Sequence, residues 1–178
     1  YGGLKFLEAA HVKDLLALLR WADNPRNRIA AFRVLQLLPG MGPANAQRAC
    51  EAFEAAAFSW LTLMAHPVPA ATRETWAPLT RLLADIGAEN APWEGQVGRV
   101  RQWYEPHLER LYEAAHARRG DLDRDLDLLD VLWIDAERAH LAHRDAAIGN
   151  RAADAKAGHV AAKDDFIMGE LALVLELG

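Results

Sequence analysis

The stretch Leu38-Pro39-Gly40-Met41-Gly42-Pro43-Ala44-Asn45-Ala46 limits the fold more than any other part of the chain. Two glycines flank one apolar residue, so the backbone can reverse sharply with φ > 0 open to both, and no glycine Cβ covers the main-chain N–H groups there. Pro43 suits the first position of a following helix, where its missing N–H costs nothing. Apolar residues at helical spacing precede the turn at Ile29, Phe32, Leu35 and Leu38, and a second helix follows from Pro43 to about Ala57. The segment therefore predicts two helices joined by a tight glycine hairpin. The positive end of the second helix and the uncovered N–H groups would converge on a place suited to an anion oxygen. In that reading Gly40, Met41 and Gly42 offer backbone N–H groups, Asn45 a side-chain amide and Arg48 a positive charge. A plain helix–helix turn without a ligand is the other reading of these residues.

Helical periodicity continues along the chain, alanine and leucine dominate and β-branched runs are nearly absent, which predicts an all-α, multi-helix domain. The first helix is read from Leu7 to Ala22, with Val12, Leu15, Leu16 and Leu19 on one face, and Asp23-Asn24-Pro25 ends it. The second runs from about Arg26 to Leu38 and buries Ile29, Phe32, Leu35 and Leu38. His66-Pro67-Val68-Pro69 reads as a rigid loop, after which Thr72 caps a helix that turns Trp76, Leu79, Leu82 and Leu83 inward and ends at Gly87. A long helix from Glu94 to Arg118, bent at Pro106, and another restarting at Gly120-Asp121 and reaching about Ile148 complete the reading. Leu4 to Phe6 is read as a short strand stub.

With 178 residues and 52% hydrophobic composition, the chain can bury a sizeable core. Its one cysteine, Cys50, excludes an internal disulfide, fits a reducing cytoplasm and reads as a small core residue. No apolar run reaches the roughly 18 residues of a membrane span and no signal peptide opens the sequence, so no membrane partner and a cytoplasmic location are expected. The net charge of -5 argues against nonspecific nucleic-acid binding by the whole surface. A local site is compatible with it: Arg20, Arg26, Arg28, Arg33 and Arg48 lie around the hairpin, whereas acidic residues gather from Asp121 to Asp130 and at Asp164-Asp165.

The hairpin resembles the helix-hairpin-helix motif, whose Gly-hydrophobic-Gly turn contacts DNA phosphates. Further landmarks accompany it in order: Tyr1-Gly2-Gly3-Leu4-Lys5-Phe6, Val12-Lys13-Asp14, Asn24-Pro25 and Arg33-Val34-Leu35. Together they resemble the segment of UvrD/Rep/PcrA-type DNA helicases that leads from domain 2A into the inserted domain 2B. The resemblance runs from Tyr1 to about Phe58 and extends to about Leu126 through Tyr104-x-Pro106-His107-Leu108 and Arg119-x-Asp121-Leu122. It implies a parent that translocates 3′ to 5′ along single-stranded DNA using ATP and Mg2+. Residues 1–125 would be its duplex-contacting accessory domain, whose rotation regulates unwinding, with duplex or forked DNA and the remaining helicase domains as partners.

The sequence contains neither a Gly-x-x-x-x-Gly-Lys-Ser/Thr phosphate loop nor an Asp-Glu pair ending an apolar strand, so the chain is not expected to hydrolyse ATP, and no catalytic residue or bound cofactor is assigned to it. Its start on Tyr1 reads as that of a piece cut from a longer protein. The family's Thr-x-His-Ser-x-Lys-Gly-type segment does not follow, and residues 126–178 read as a divergent helical tail. There Glu137, His140 and His143 share a helical face, with Asp145 and His159 beyond; a charged helix is preferred over a metal site, because no second half-site is visible. Phe166 to Leu177 forms a last apolar segment with Ile167, Leu171, Val174 and Leu175 on one face. A helical protein-interaction module that binds no nucleic acid is the alternative for the whole.

Overall fold

Ala10–Asp23 forms the first helix, α1, of a computed structural model that describes residues 9–88, 91–92, 94–120 and 122–123. Apolar side chains surround this helix rather than forming one stripe, and His11, Val12, Asp14 to Leu19, Trp21 and Ala22 are all buried. A helix of that kind belongs inside a fold. Accordingly α1 is packed by α2 (Arg28–Gln36), α5 (Arg73–Ile86) and α6 (Gln96–Tyr104). Between α2 and α5 the chain forms α3 (Pro43–Ala55), the short α4 (Trp60–Met64) and a 3-10 turn at Ala70–Thr72. After α6 come a 3-10 turn at Glu105–His107, a single helical turn α7 (Leu108–Leu111) and helical residues 115–120. The domain is all-α, and no strand occurs among the described residues.

Aromatic rings cluster where α1, α3 and α4 meet. Trp21 of α1 meets Phe53 of α3 edge-on at 5.9 Å and Trp60 of α4 at 5.5 Å, and Phe53 contacts Trp60 at 4.8 Å and Phe58 at 5.6 Å. Such pairs add roughly 0.5–1.5 kcal/mol each beyond the area they bury. Trp76 of α5 joins this end to α4 by donating its indole N–H to the carbonyls of Leu63 and Met64, each at 3.2 Å. Gly87 ends α5 where a Cβ would stand 2.4 Å from the carbonyl oxygen of Ala22, so only glycine lets α5 close on α1.

Several expected boundaries shift, each for a local reason. The second helix runs over Arg28–Gln36 and turns Ala30, Ala31, Val34 and Leu35 inward; Ile29, expected in the core, is 86% exposed. Small alanines let α2 approach α1 closely, and that rotates Ile29 to the outside. Leu38 is buried as expected, and Phe32 packs partly buried at the core's edge. Ala57 and Phe58 take positive φ of 51° and 61°, ending the third helix earlier than expected, and Ser59 caps α4 by accepting from the Thr62 N–H. Thr72 does not cap α5: its hydroxyl donates instead to the Pro39 carbonyl at 2.6 Å. The expected long helix over 94–118 is broken by the 3-10 turn Glu105–His107, which contains Pro106, and again at Tyr112, whose backbone is extended. Gly120 lies within helical residues 115–120 rather than at a restart. Arg101 and Arg119 both pair with Glu105, and Arg101 also reaches Asp123, which fastens that last helix to α6. The strand stub at residues 4–6, the helix beyond 123, the Glu137/His140/His143 face and the apolar segment near the C-terminus lie outside the described residues. No described helix is long and apolar enough to cross a membrane.

Candidate nucleic-acid interface

The glycine turn is built from both flanking helices and braced from behind. Asn27 caps α2 by accepting from the Ala30 N–H at 2.9 Å, and the helix tightens at its end, where Leu37 and Leu38 donate to the carbonyls of Val34 and Leu35. Gly40 then takes φ +73°, the left-handed conformation a side chain resists. Its missing Cβ also makes room for the 3-10 turn, since a Cβ there would lie 3.3 Å from the Ala71 methyl. The Thr72 hydroxyl bond to Pro39 holds the same two segments together. Met41 is 3% exposed and plugs the core beneath the turn.

Gly42 differs from Gly40. Its φ of -69° and ψ of 173° are extended backbone open to any residue, and a Cβ on it would meet nothing within 4 Å. It is the N-cap of α3, with Pro43 at the first helical position, and its carbonyl accepts from the N–H groups of Asn45 and Ala46, each at 3.0 Å. The sequence suggests backbone donors at Gly40, Met41 and Gly42. Met41 is a correction, because its N–H already donates to the Leu38 carbonyl at 3.2 Å. Among the described residues no protein acceptor takes the N–H groups of Gly40, Gly42 or Ala44, and all three residues are exposed.

Asn45 also has a different job from the one expected of it. Its amide nitrogen donates to the Gly40 carbonyl at 3.0 Å, and its amide oxygen accepts from the Arg48 guanidinium at 2.5 Å. It therefore ties the turn to the first turn of α3 and positions Arg48 over it. No carboxylate among the described residues pairs with Arg48. Burial first, and then the Arg48 charge, hold the nearby His66 imidazole below its ordinary pKa, so at neutral pH it adds no second cation. Of the other arginines the sequence placed around the hairpin, Arg28 and Arg33 are paired with carboxylates. Arg28 is held by Glu54 at 2.9 Å and Glu51 at 3.9 Å, Arg33 by Asp14 at 2.7 Å, and Arg26 lies over the Phe58 ring at 5.4 Å.

A second polar cluster lies at the α1–α6 side. Asp14, 3% exposed, accepts from the hydroxyls of Tyr104 at 2.8 Å and Tyr112 at 2.5 Å, and from Arg33. The Arg118 guanidinium stacks 4.2 Å from the Tyr112 ring and meets His11 Nδ1 at 3.1 Å. Four segments are thereby joined at one carboxylate. In the sequence Asp14 registered only as part of a motif; the available signal was its position on the buried side of α1, beside Leu15 and Leu18. Cys50 is buried and its thiol is pushed up to about 11, chiefly by burial, which fits a core residue. No group of three potential metal ligands occurs among the described residues. Compared with protein-family models, with curated proteins and with solved structures, the chain matches none.

Proposed function

We propose that this chain is the duplex-contacting accessory module of a UvrD/Rep/PcrA-type DNA helicase, gripping the phosphate backbone of duplex or forked DNA through the Gly40–Ala44 turn. One observation carries the reading: unaccepted N–H groups on exposed residues at the start of α3 stand beside an arginine that no described carboxylate neutralises. An anion there gains both the helix dipole and a point charge. The residues assigned to it are Gly40, Gly42 and Ala44 as donors, Arg48 as the cation and Asn45 as the residue that positions Arg48. ATP and Mg2+ belong to the parent's motor domains, whose phosphate-loop motif this sequence lacks.

Fluorescence anisotropy with a labelled forked duplex tests the reading. The chain is expected to bind at low salt and to release the fork as salt rises, because phosphate contacts release counterions. Gly42→Val is the informative variant, since the backbone there accepts a side chain and only the approach to the N–H groups is obstructed. Binding at least several-fold weaker, with unchanged helix content, is expected. Equal binding by this variant, or no binding by the parent chain, would leave a helical protein-interaction module in its place.

A further inference from the structure

Most described arginines already have a partner. Arg28 pairs with Glu54, Arg33 with Asp14, Arg99 with Asp85, and Arg101 and Arg119 with Glu105, while Arg26 and Arg118 lie over aromatic rings. Arg73 and Arg81 differ: among the described residues neither makes an ion pair, a hydrogen bond or a ring contact. Lys13 on α1 shares that condition, and Arg48 contacts only the Asn45 amide. Arg73 and Arg81 belong to α5, whose outer side consists of Arg73, Glu74, Ala77, Pro78, Arg81 and Asp85. Arg73, Ala77 and Arg81 stand at i, i+4 and i+8 and form one row along the helix. Ala77 places only a methyl between the two guanidiniums. Of the two carboxylates on this side, Asp85 is held by Arg99 at 3.2 Å, which leaves Glu74 as the one described counter-charge beside two cations.

The row begins beside the glycine turn. Thr72, the residue before Arg73, donates its hydroxyl to the Pro39 carbonyl at 2.6 Å, and the Ala71 methyl lies behind Gly40. The fold thus fixes the start of α5 against the exposed N–H groups of the turn. Arg73 and Arg81 are about 12 Å apart along the helix at 1.5 Å per residue. That length spans roughly three to four successive phosphates of one DNA strand, at ~3.4 Å of axis each. We propose that the outer face of α5 is a second phosphate-binding surface, along which Arg73 and Arg81 hold the DNA strand that leaves the Gly40–Ala44 turn. The inference rests on the reading of that turn as a phosphate grip, and it adds the path the backbone follows across the domain. Charge complementarity favours a polyanion here, because each of these guanidiniums neutralises a phosphate without first releasing a carboxylate, as Arg28 and Arg33 would have to do.

Anisotropy titrations of the full chain with a labelled forked duplex, each at several salt concentrations, test this. The double variant Arg73→Gln, Arg81→Gln is expected to bind about ten-fold more weakly and to lose about two from the slope of log affinity against log salt, since each phosphate contact contributes roughly 0.9. Arg73→Lys with Arg81→Lys is expected to keep the slope. Lys13→Gln removes an equally unpartnered charge from the exposed side of α1 and is expected to change affinity by less than about two-fold. All three positions are exposed, and circular dichroism checks that helix content is unchanged in each variant. Parent-like affinity and slope in the double glutamine variant overturn the inference, and so does a loss that Lys13→Gln reproduces. Gly42→Val separates this inference from the reading of the turn. A double variant that binds normally while Gly42→Val is weakened removes α5 from the interface and leaves the turn in it. The reverse pattern removes the turn and keeps α5 as the phosphate surface, and no binding by the parent chain removes both.

Discussion

Asp14 is the residue on which most of the long-range polar order depends. A carboxylate removed from water is costly unless its lone pairs are filled, and here Tyr104, Tyr112 and Arg33 fill them from three other parts of the chain. Asp14→Ala leaves a buried tyrosine hydroxyl and a guanidinium without their acceptor and is expected to cost about 3–5 kcal/mol, against roughly 1–2 for Tyr104→Phe, measured by urea unfolding. The cluster also gives the protein an alkaline limit. Burial first and Asp14 second push the Tyr104 hydroxyl far above its ordinary value, and burial with the Asp14 hydrogen bond pushes Tyr112 up to about 12. In the unfolded chain both titrate near about 10. The folded state thus holds these protons more tightly, so the contribution is fully present below pH ~10 and is lost as pH rises toward 12 and beyond. The urea midpoint is expected to fall steeply above pH ~10, and less steeply in the Tyr104→Phe, Tyr112→Phe double variant. An equally steep fall in that variant would place the alkaline limit elsewhere.

At the scale of the hairpin, two glycines that look equivalent in sequence serve different ends. Gly40 is required by its φ of +73° and by the Ala71 methyl behind it, whereas Gly42 has ordinary extended backbone and open space. Gly40→Ala is expected to lose about 1–2 kcal/mol of stability through the left-handed conformation alone, while Gly42→Ala stays within about 0.5 kcal/mol of the parent. Thermal and urea melts of the two single variants decide it; similar losses at both positions would mean that the turn is strained throughout. The Gly-x-Gly-Pro spacing made the turn and the start of α3 legible in the sequence. What it lacked was the long-range partner: nothing local says that Ala71 and Thr72 brace Pro39 and Gly40. The same limit explains Ile29. Its i, i+3 relation to Phe32 suggested a buried stripe, but the alanines at 30 and 31 allow the closer approach, and packing chose that face.

For the molecule as a whole, the all-α architecture was legible because hydrophobic period and the near-absence of β-branched runs act over many residues, and the central place of α1 was implicit in its apolar circumference. The charge distribution was not, because pairing is decided by neighbours distant in sequence. Five arginines near the hairpin looked like a basic face, yet Arg28 and Arg33 are neutralised by Glu54 and Asp14 and Arg26 stacks on Phe58. At the turn itself, attraction for a phosphate would come from Arg48 and the exposed N–H donors, within a chain of net charge -5. This gives a quantitative expectation. Each phosphate neutralised adds roughly 0.9 to the slope of log affinity against log salt, so Arg48→Ala is expected to reduce that slope by about one. The loss should be nearly equal on duplexes of unrelated sequence, since main-chain donors and one arginine grip a backbone and do not read base edges. A bidentate arginine–guanine contact would instead make the loss differ by roughly 1–3 kcal/mol between sequences. Titrations of the parent chain and Arg48→Ala on two duplexes, each at several salt concentrations, separate the two. A sequence-dependent loss with an unchanged slope would show Arg48 reading bases, and a loss on neither duplex would remove the turn from the interface.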